Sequence, residues 1–311
     1  MKVSYRRFSL NFSAYKEFIM IKSILEDYSK YIKDEKKLSK NTWKAYIRDI
    51  TCFNKYLREN SYTSLLEVNK TVIIRYLIHL QKKGKTASSI SRNLSGIRCL
   101  FQFLLGNNYI KEDPTLNLKA PKGERKLPLI LTVEEINLLL SLPDDSTIKG
   151  ARDKAMLELI YSTGMKFSEL NSLNLEDLDF EMKSVNIKSK NNVRRAPVNE
   201  ITLFHIKKYL KICREGSNGK DPLFINCNGN RLTRQGLWKV LKSYAKESKI
   251  NKNITPQVLR NSFAVHLLNN GADVKSLQEM LGHSDINTTN IYCNNSNKRN
   301  IKEVYNDSYV R

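Results

Sequence analysis

Pro114, Pro121 and Pro128 fall in one short stretch that also carries Gly123 and the cations Lys119, Lys122, Arg125 and Lys126. Proline lacks a backbone donor and clashes with the preceding turn, so no helix or central strand runs through such a segment. Proline, glycine and charge together read as an exposed connection between domains. It divides the 311 residues into a first part, 18–113, and a second, 131–292. Each is long enough to bury its own core. Residues 114–130 are then a basic linker. Residues 1–17 show no sustained period and read as a flexible arm, and 293–311 form a tail with a short helix near Ile301–Tyr305.

The first part has a helical period throughout. Ile21, Ile24, Leu25, Tyr28 and Ile32 recur at three- and four-residue steps, and Ser39 is placed to cap a helix carrying Trp43, Tyr46, Ile47, Ile50, Phe53, Tyr56 and Leu57. Val72–Gln81 and Thr86–Leu105 complete a four-helix unit, the last ending at Gly106. The second part opens with a capping box, Thr132 with Glu135. Helices are expected at Val133–Leu142, Ala151–Ser162, Phe167–Leu173, Ile201–Arg214, Arg234–Lys246, Gln257–Asn269, Val274–Leu281 and Asn287–Tyr292. Strands are expected at Leu178–Phe180, Val185–Lys188 and Arg195–Val198, with a further short one at Leu223–Ile225. The fold class is mainly α with a small antiparallel β-sheet.

Charge narrows the function. The chain carries 53 Lys and Arg against 31 Asp and Glu, a net +22. Residues 1–126 contribute 26 minus 11, or +15, and residues 127–311 contribute 27 minus 20, or +7. Self-repulsion on this scale points to a polyanionic partner. No apolar run spans a bilayer; Val72–Leu80 and Leu127–Val133 are too short. Lys16, Glu17 and Lys22 interrupt the place where a secretory signal would be apolar. The five cysteines are widely spaced without a CxxC pair, and His79, His205, His266 and His283 form no ligand cluster. Reduced cytoplasmic thiols and no bound metal are the expectation.

Three segments carry the chemistry: LIYSTGMKFSELNSLNLEDLDF (159–180), VNIKSKNNVRRAPV (185–198) and ITPQVLRNSFAVHLLNNGADVKSLQEMLGHSDINTTNIY (254–292). Together they resemble the catalytic domain of the tyrosine recombinase superfamily, of the Xer and phage-integrase type. Its blocks read TGLRxSEL, GKGxKxRxVP, TPHxLRHxFAT and LGHxxxxTTxxY. The helical first part resembles that family's core-binding, SAM-like domain. The resemblance implies a two-domain clamp around double-stranded DNA, assembled as a homo-tetramer on two duplexes, with the C-terminal tail docked on a neighbouring protomer. An accessory recombinase or architectural protein is a possible further partner.

The implied chemistry is strand exchange through a 3′-phosphotyrosine, with no ATP, metal or other cofactor. Carried over residue by residue, Tyr292 is the nucleophile, Arg260 clamps a non-bridging oxygen, Lys190 is the general acid at the hairpin tip, and His283 donates to the phosphate. Glu169 is the buried acid supporting the first basic residue through a salt bridge. That residue is Lys166, where the family has arginine; a lysine keeps the charge and loses the planar fork. Gln257 stands where histidine is usual. Lys188, Arg194 and Arg195 lie close enough to Lys190 for a shifted alignment, and Arg194 or Arg195 could supply an arginine in place of Lys166. DNA contacts are expected from Lys82, Lys83, Lys85, Arg92 and Arg98, and from Lys122, Arg125 and Lys126 of the linker; a solvated helix face and a plain tether are the alternatives. The functional expectation is a site-specific recombinase acting in integration, excision or resolution. A catalytically impaired DNA-binding member of the fold and a simple helical regulator are the competing readings.

Overall fold

The structure is a computed structural model that describes residues 20–62, 64–121, 128–189, 193–214 and 216–292. The expected arm (1–17), linker cations Lys122, Arg125 and Lys126, hairpin lysine Lys190 and tail (293–311) lie outside the described residues. The chain divides into two compact units, Met1–Arg125 and Lys126–Arg311.

The first unit is helical: α1 (residues 20–30), continuing into a π-helical turn at Tyr31–Glu35, then α2 (Lys40–Glu59), α3 (Lys70–Lys82) and α4 (Ala87–Gly106). Each of the last three starts where a polar side chain takes an otherwise unpaired N–H. Ser39 accepts from Thr42, Asn69 from Val72 and Thr86 from Ser89. Tyr28, Phe53, Tyr76 and Phe101 fill the core. The Tyr28 hydroxyl finds the Gly96 carbonyl at 3.2 Å, so this large ring is buried with its polar end satisfied.

The second unit contains α5 (Val133–Ser141), α6 (Ile148–Thr163), α7 (Phe167–Ser172), β1 (Leu178–Asp179), β2 (Ser184–Lys188), β3 (Val193–Pro197), α8 (Glu200–Cys213), α9 (Arg234–Glu247), α10 (Pro256–Asn269), α11 (Val274–Leu281) and α12 (Asn287–Asn290). The Thr132–Glu135 capping box forms at α5. Helix α6 is buried on nearly every side because α5, α8 and α10 pack around it. The three strands form one antiparallel sheet in the order β1-β2-β3, with Val185 opposite Ala196 and Ile187 opposite Arg194. Opposite residues share a face. Arg194 therefore lies on the core side with Ile187 and Ala196, while Arg195 turns outward to Asp179 at 2.5 Å.

Two expectations are corrected. Leu223–Ile225 is not a strand: its neighbourhood makes only the isolated bridges Asn174–Pro222 and Ile225–Arg231. The segment's main-chain bonds go singly to two different partners, Leu223 N–H to the Leu173 carbonyl at 2.9 Å and the Phe224 carbonyl to Leu232 N–H at 3.1 Å, so no continuous ladder forms. The last helix is shorter than Asn287–Tyr292, because Ile291 and Tyr292 leave the helix after Asn290.

Candidate active site

Helix α10 is the platform. Thr255 caps it by accepting from Val258, and Pro256 occupies its first turn, where a missing N–H costs nothing. Arg260 points into the unit and is 3% exposed. Its guanidinium donates to the Gly164 carbonyl at 2.6 Å, to the Leu281 carbonyl at 2.7 Å and to His283 Nε2 at 2.9 Å. Burial lowers its pKa to about 10, partly opposed by Glu169; the cation persists at neutral pH.

Gly164 makes this approach feasible. It ends α6 with φ +57°, and a Cβ there would lie 2.3 Å from Phe263.

His283 follows Gly282, the left-handed cap of α11. Its Nδ1 lies 2.9 Å from the Thr289 hydroxyl. Arginine can only donate, so Nε2 accepts from Arg260 and the ring proton is assigned to Nδ1. Desolvation first, then Arg260, Lys166 and Arg194, lower the His283 pKa to about 4, against a smaller opposing effect of Glu169. The ring is neutral at physiological pH.

Tyr292 is 6% exposed, and its hydroxyl donates to Asn261 Oδ1 at 2.8 Å. Gln257 Nε2 donates to the same oxygen at 2.8 Å, and Asn261 Nδ2 donates to the Leu129 carbonyl. Burial raises the Tyr292 pKa; Arg260 and Gln257 act in the opposite direction.

Glu169 overturns one expectation. It does not form a salt bridge with Lys166. Arg194 NH1 and NH2 donate to its two oxygens at 2.9 and 2.7 Å, while Arg194 Nε donates to the Met280 carbonyl at 2.8 Å. The tie to Lys166 is the main-chain N–H, which donates to Glu169 at 2.8 Å and starts α7. The physical reason is geometric: the core-facing register of β3 brings a guanidinium fork onto the carboxylate, whereas the Lys166 residue is exposed. Burial alone would raise the Glu169 pKa, but Arg194, the Lys166 N–H and Arg260 together hold it below the usual range.

The structure thus brings Arg260, His283, Tyr292, Gln257, Glu169 and Lys166 into one region. Three more residues belong with them. Arg194 sits at the arginine of the KxRxVP pattern, Asn261 replaces the second histidine of HxLRH, and Thr289 is the second threonine before the tyrosine. Lys188 is held by Asp177 at 2.7 Å. In the first unit Lys82, Lys83 and Lys85 are exposed. Arg92 pairs with Asp49 at 2.7 and 3.0 Å while 39% of its side chain stays exposed, and Arg98 donates to the Leu118 carbonyl.

Residues 130–299 match the phage integrase family, and residues 25–108 match the phage integrase N-terminal SAM-like domain. The chain belongs to the phage integrase family, the tyrosine-type site-specific recombinases. The tyrosine recombinase XerD of Oceanobacillus iheyensis is 40% identical over 298 residues, covering 94% of this chain and 100% of that one. XerD of Staphylococcus aureus is 40% identical over 295 residues with the same coverage. Among solved structures, the Tn1549 transposon integrase in complex with transposon right end DNA aligns with a TM-score of 0.72 at 20% identity, covering 88% of this chain and 95% of that one. The XerH site-specific recombinase bound to its difH substrate in a post-cleavage complex gives 0.70 at 23% identity, over 80% and 75%. These structural likenesses concern the fold. No described helix is long and apolar enough to cross a membrane.

Proposed function

We propose that this chain cuts and rejoins duplex DNA by attack of Tyr292 on a backbone phosphate. The Tyr292 oxygen forms a bond to phosphorus, and the bond from phosphorus to the 5′-oxygen breaks. The Tyr292 hydroxyl gives up its proton to solvent as it attacks, and the leaving 5′-oxygen takes one up, so the products are a 3′-phosphotyrosine and a 5′-hydroxyl. A 5′-hydroxyl from a partner strand then attacks the phosphotyrosine and releases the tyrosine. One phosphodiester replaces another, so the exchange needs no external energy source.

The observation that carries the proposal is that His283 and Tyr292, from one motif, meet Arg260 and its neighbour Asn261, from another: His283 lies 2.9 Å from the buried guanidinium and the Tyr292 hydroxyl 2.8 Å from Asn261. Arg260 is pre-aimed by two carbonyls, which lowers the reorganisation needed when a non-bridging oxygen gains charge. His283 is positioned beside it. Lys166 adds a second cation as a point charge. Lys190 is the proposed acid for the leaving oxygen; the engagement of Lys188 by Asp177 supports that choice over its neighbour. Gln257 orients the Asn261 amide, whose oxygen accepts the hydrogen bond of the Tyr292 hydroxyl and so aims that hydroxyl before attack.

Exposed Lys82, Lys83 and Lys85 are the proposed phosphate contacts of the first unit, joined by Lys122, Arg125 and Lys126 of the linker. A homo-tetramer on two duplexes in the cytoplasm is the proposed working assembly.

Incubation with a nicked suicide duplex tests the reaction. The parent should give a covalent protein–DNA product on a denaturing gel. Tyr292→Phe should bind the duplex and give none; a shifted product from that variant would mean that another residue is the nucleophile.

A further inference from the structure

The HxLRH pattern has an imidazole on each side of its arginine, and this chain has an amide at both places, Gln257 and Asn261. Both amides sit at the nucleophile. The Tyr292 hydroxyl donates to Asn261 Oδ1 at 2.8 Å, and Gln257 Nε2 donates to the same oxygen at 2.8 Å. The main chain decides which end of the Asn261 amide faces the phenol. A carbonyl can only accept, so the Leu129 carbonyl, 3.3 Å from Asn261 Nδ2, takes the NH2 end and leaves the oxygen for Tyr292. Asn261 is 7% exposed, so the fold rather than water sets this orientation.

We propose that Asn261 holds the nucleophile without acting as its base, and that strand cleavage by this chain is carried by hydroxide, rising with pH where a site equipped with an imidazole base levels off. The inference rests on the recombinase reading. An amide oxygen accepts a hydrogen bond but is not protonated near neutral pH, so it does not keep the proton that Tyr292 must lose. The O–H bond breaks, its electron pair enters the new bond from oxygen to phosphorus, and solvent hydroxide takes the proton and becomes water. The 5′-oxygen keeps the electrons of the broken bond to phosphorus and gains its own proton from the acid, proposed as Lys190.

The other titratable groups of the site are engaged elsewhere. Arg260 acts on the phenol as a cation and has no lone pair. Glu169 accepts from Arg194 through both oxygens. His283 lies 2.9 Å from Arg260 and 2.9 Å from Thr289, and its part in the reaction is donation to the phosphate. Lys166 and Arg194, which also act on that ring, are cations. Burial raises the Tyr292 pKa, so the phenol stays protonated from about pH 6 to about pH 9 and does not bend the profile by its own titration. Lysines ordinarily titrate at about 10.4, above the same window.

Single-turnover cleavage of a nicked suicide duplex at saturating protein, from about pH 6 to about pH 9, tests the proposal. The parent should accelerate about tenfold per pH unit without a plateau, because one proton is lost to solvent on the way to the transition state. Gln257→His places an imidazole at an exposed position beside the same oxygen. It should be about tenfold or more faster at neutral pH and level off above about 6.5, the ordinary imidazole value, so that the gain shrinks in alkali. Asn261→Ala should lose about tenfold at every pH, the equivalent of one hydrogen bond, with the slope of the parent and with DNA affinity within about threefold. A parent profile that is flat, or that levels off in the imidazole range, assigns the proton to a protein group and overturns the proposal while leaving the recombinase reading intact. No adduct at any pH on a duplex that the protein binds removes the recombinase reading and this proposal with it.

A readout without DNA follows the phenol directly. In the full chain labelled with 13C at tyrosine Cζ, the resonance that disappears in Tyr292→Phe belongs to the nucleophile. It should stay constant over the same pH range in the parent and acquire a step near about pH 6.5 in Gln257→His. A step there in the parent would show an imidazole bonded to the phenol and would overturn the proposal.

Discussion

Glu169→Gln should destabilise the second unit by more than any surface substitution could. Three donors converge on this carboxylate: two from the Arg194 guanidinium and one from the Lys166 main chain. Glutamine keeps the shape, removes the charge, and turns one acceptor oxygen into an amide that faces a donor. Both members of the ion pair are buried, with 11% and 7% of their side chains exposed. Solvent therefore does not replace the lost partner.

Removing one member of such a pair costs about 3–5 kcal/mol. For a unit of this size, where 1 kcal/mol shifts Tm by about 2–4 °C, the loss is roughly 6–20 °C. Thermal unfolding of the full chain, followed by circular dichroism and calorimetry, measures it. Arg194→Met and the double variant complete the cycle. The penalty comes from a stranded charge, so the double variant should be more stable than the sum of the two losses by at least about 1 kcal/mol.

The pH dependence has a definite sign. The folded pKa of Glu169 is depressed, so its contribution is complete above the ordinary carboxylate range and is lost as pH falls through the lower folded value. The stability advantage of the parent over Glu169→Gln should shrink in acid. A Glu169→Gln protein that melts within about 2 °C of the parent, with no coupling in the cycle, would refute the assignment of Arg194 as the partner of Glu169.

Lys166→Arg should raise single-turnover cleavage by about tenfold, or about 1.4 kcal/mol, with little change in DNA affinity. Since Arg194 occupies Glu169, the new fork must be oriented by the phosphate itself; equal rates would mean a site adapted to lysine. Affinity for duplex DNA should fall ~10³–10⁵-fold between about 50 and about 200 mM salt if six to ten phosphates are contacted per protomer. A flat response would remove the phosphate contacts from the interpretation. Cleavage should persist in EDTA, and loss that magnesium restores would overturn the all-side-chain mechanism. Gly164→Ala should cost about 1–3 kcal/mol through the clash with Phe263 and Leu281 and the positive φ. Gly106→Ala, where a Cβ meets nothing within 4 Å, is the control, and equal melting of the two variants would refute the packing argument.

What was legible in the sequence follows the range of the forces involved. Ser39, Thr132 and Thr255 act within three residues of themselves, so their helix starts can be read directly. The hairpin strands carry their alternation locally, and Tyr292, Arg260 and His283 are marked by their motifs. The partner of Glu169 was not legible, because the choice between Lys166 and Arg194 depends on which face of β3 meets α7. Leu223–Ile225 has the composition of a strand, yet its main chain bonds singly to Leu173 and to Leu232, two separate stretches, and forms only isolated bridges. The contacts of Asn261 and Thr289 share this origin. Each is an ordinary polar residue until a separate element presents a phenol or an imidazole to it.

The bonds that build the pocket also have a consequence for the protein's biogenesis. Arg260 is anchored to a carbonyl 96 residues earlier, and the Leu129 and Leu131 backbone meets Asn261 and Ser262 across 132 and 131 residues. No peptide much shorter than the whole second unit contains these contacts. A chain still leaving the ribosome, or one nicked and released from half of its fold, holds a tyrosine and an arginine but no place to grip a phosphate. The pocket around Arg260 is therefore complete only once the last helices of the unit have met its first residues, at the end of synthesis rather than along the way.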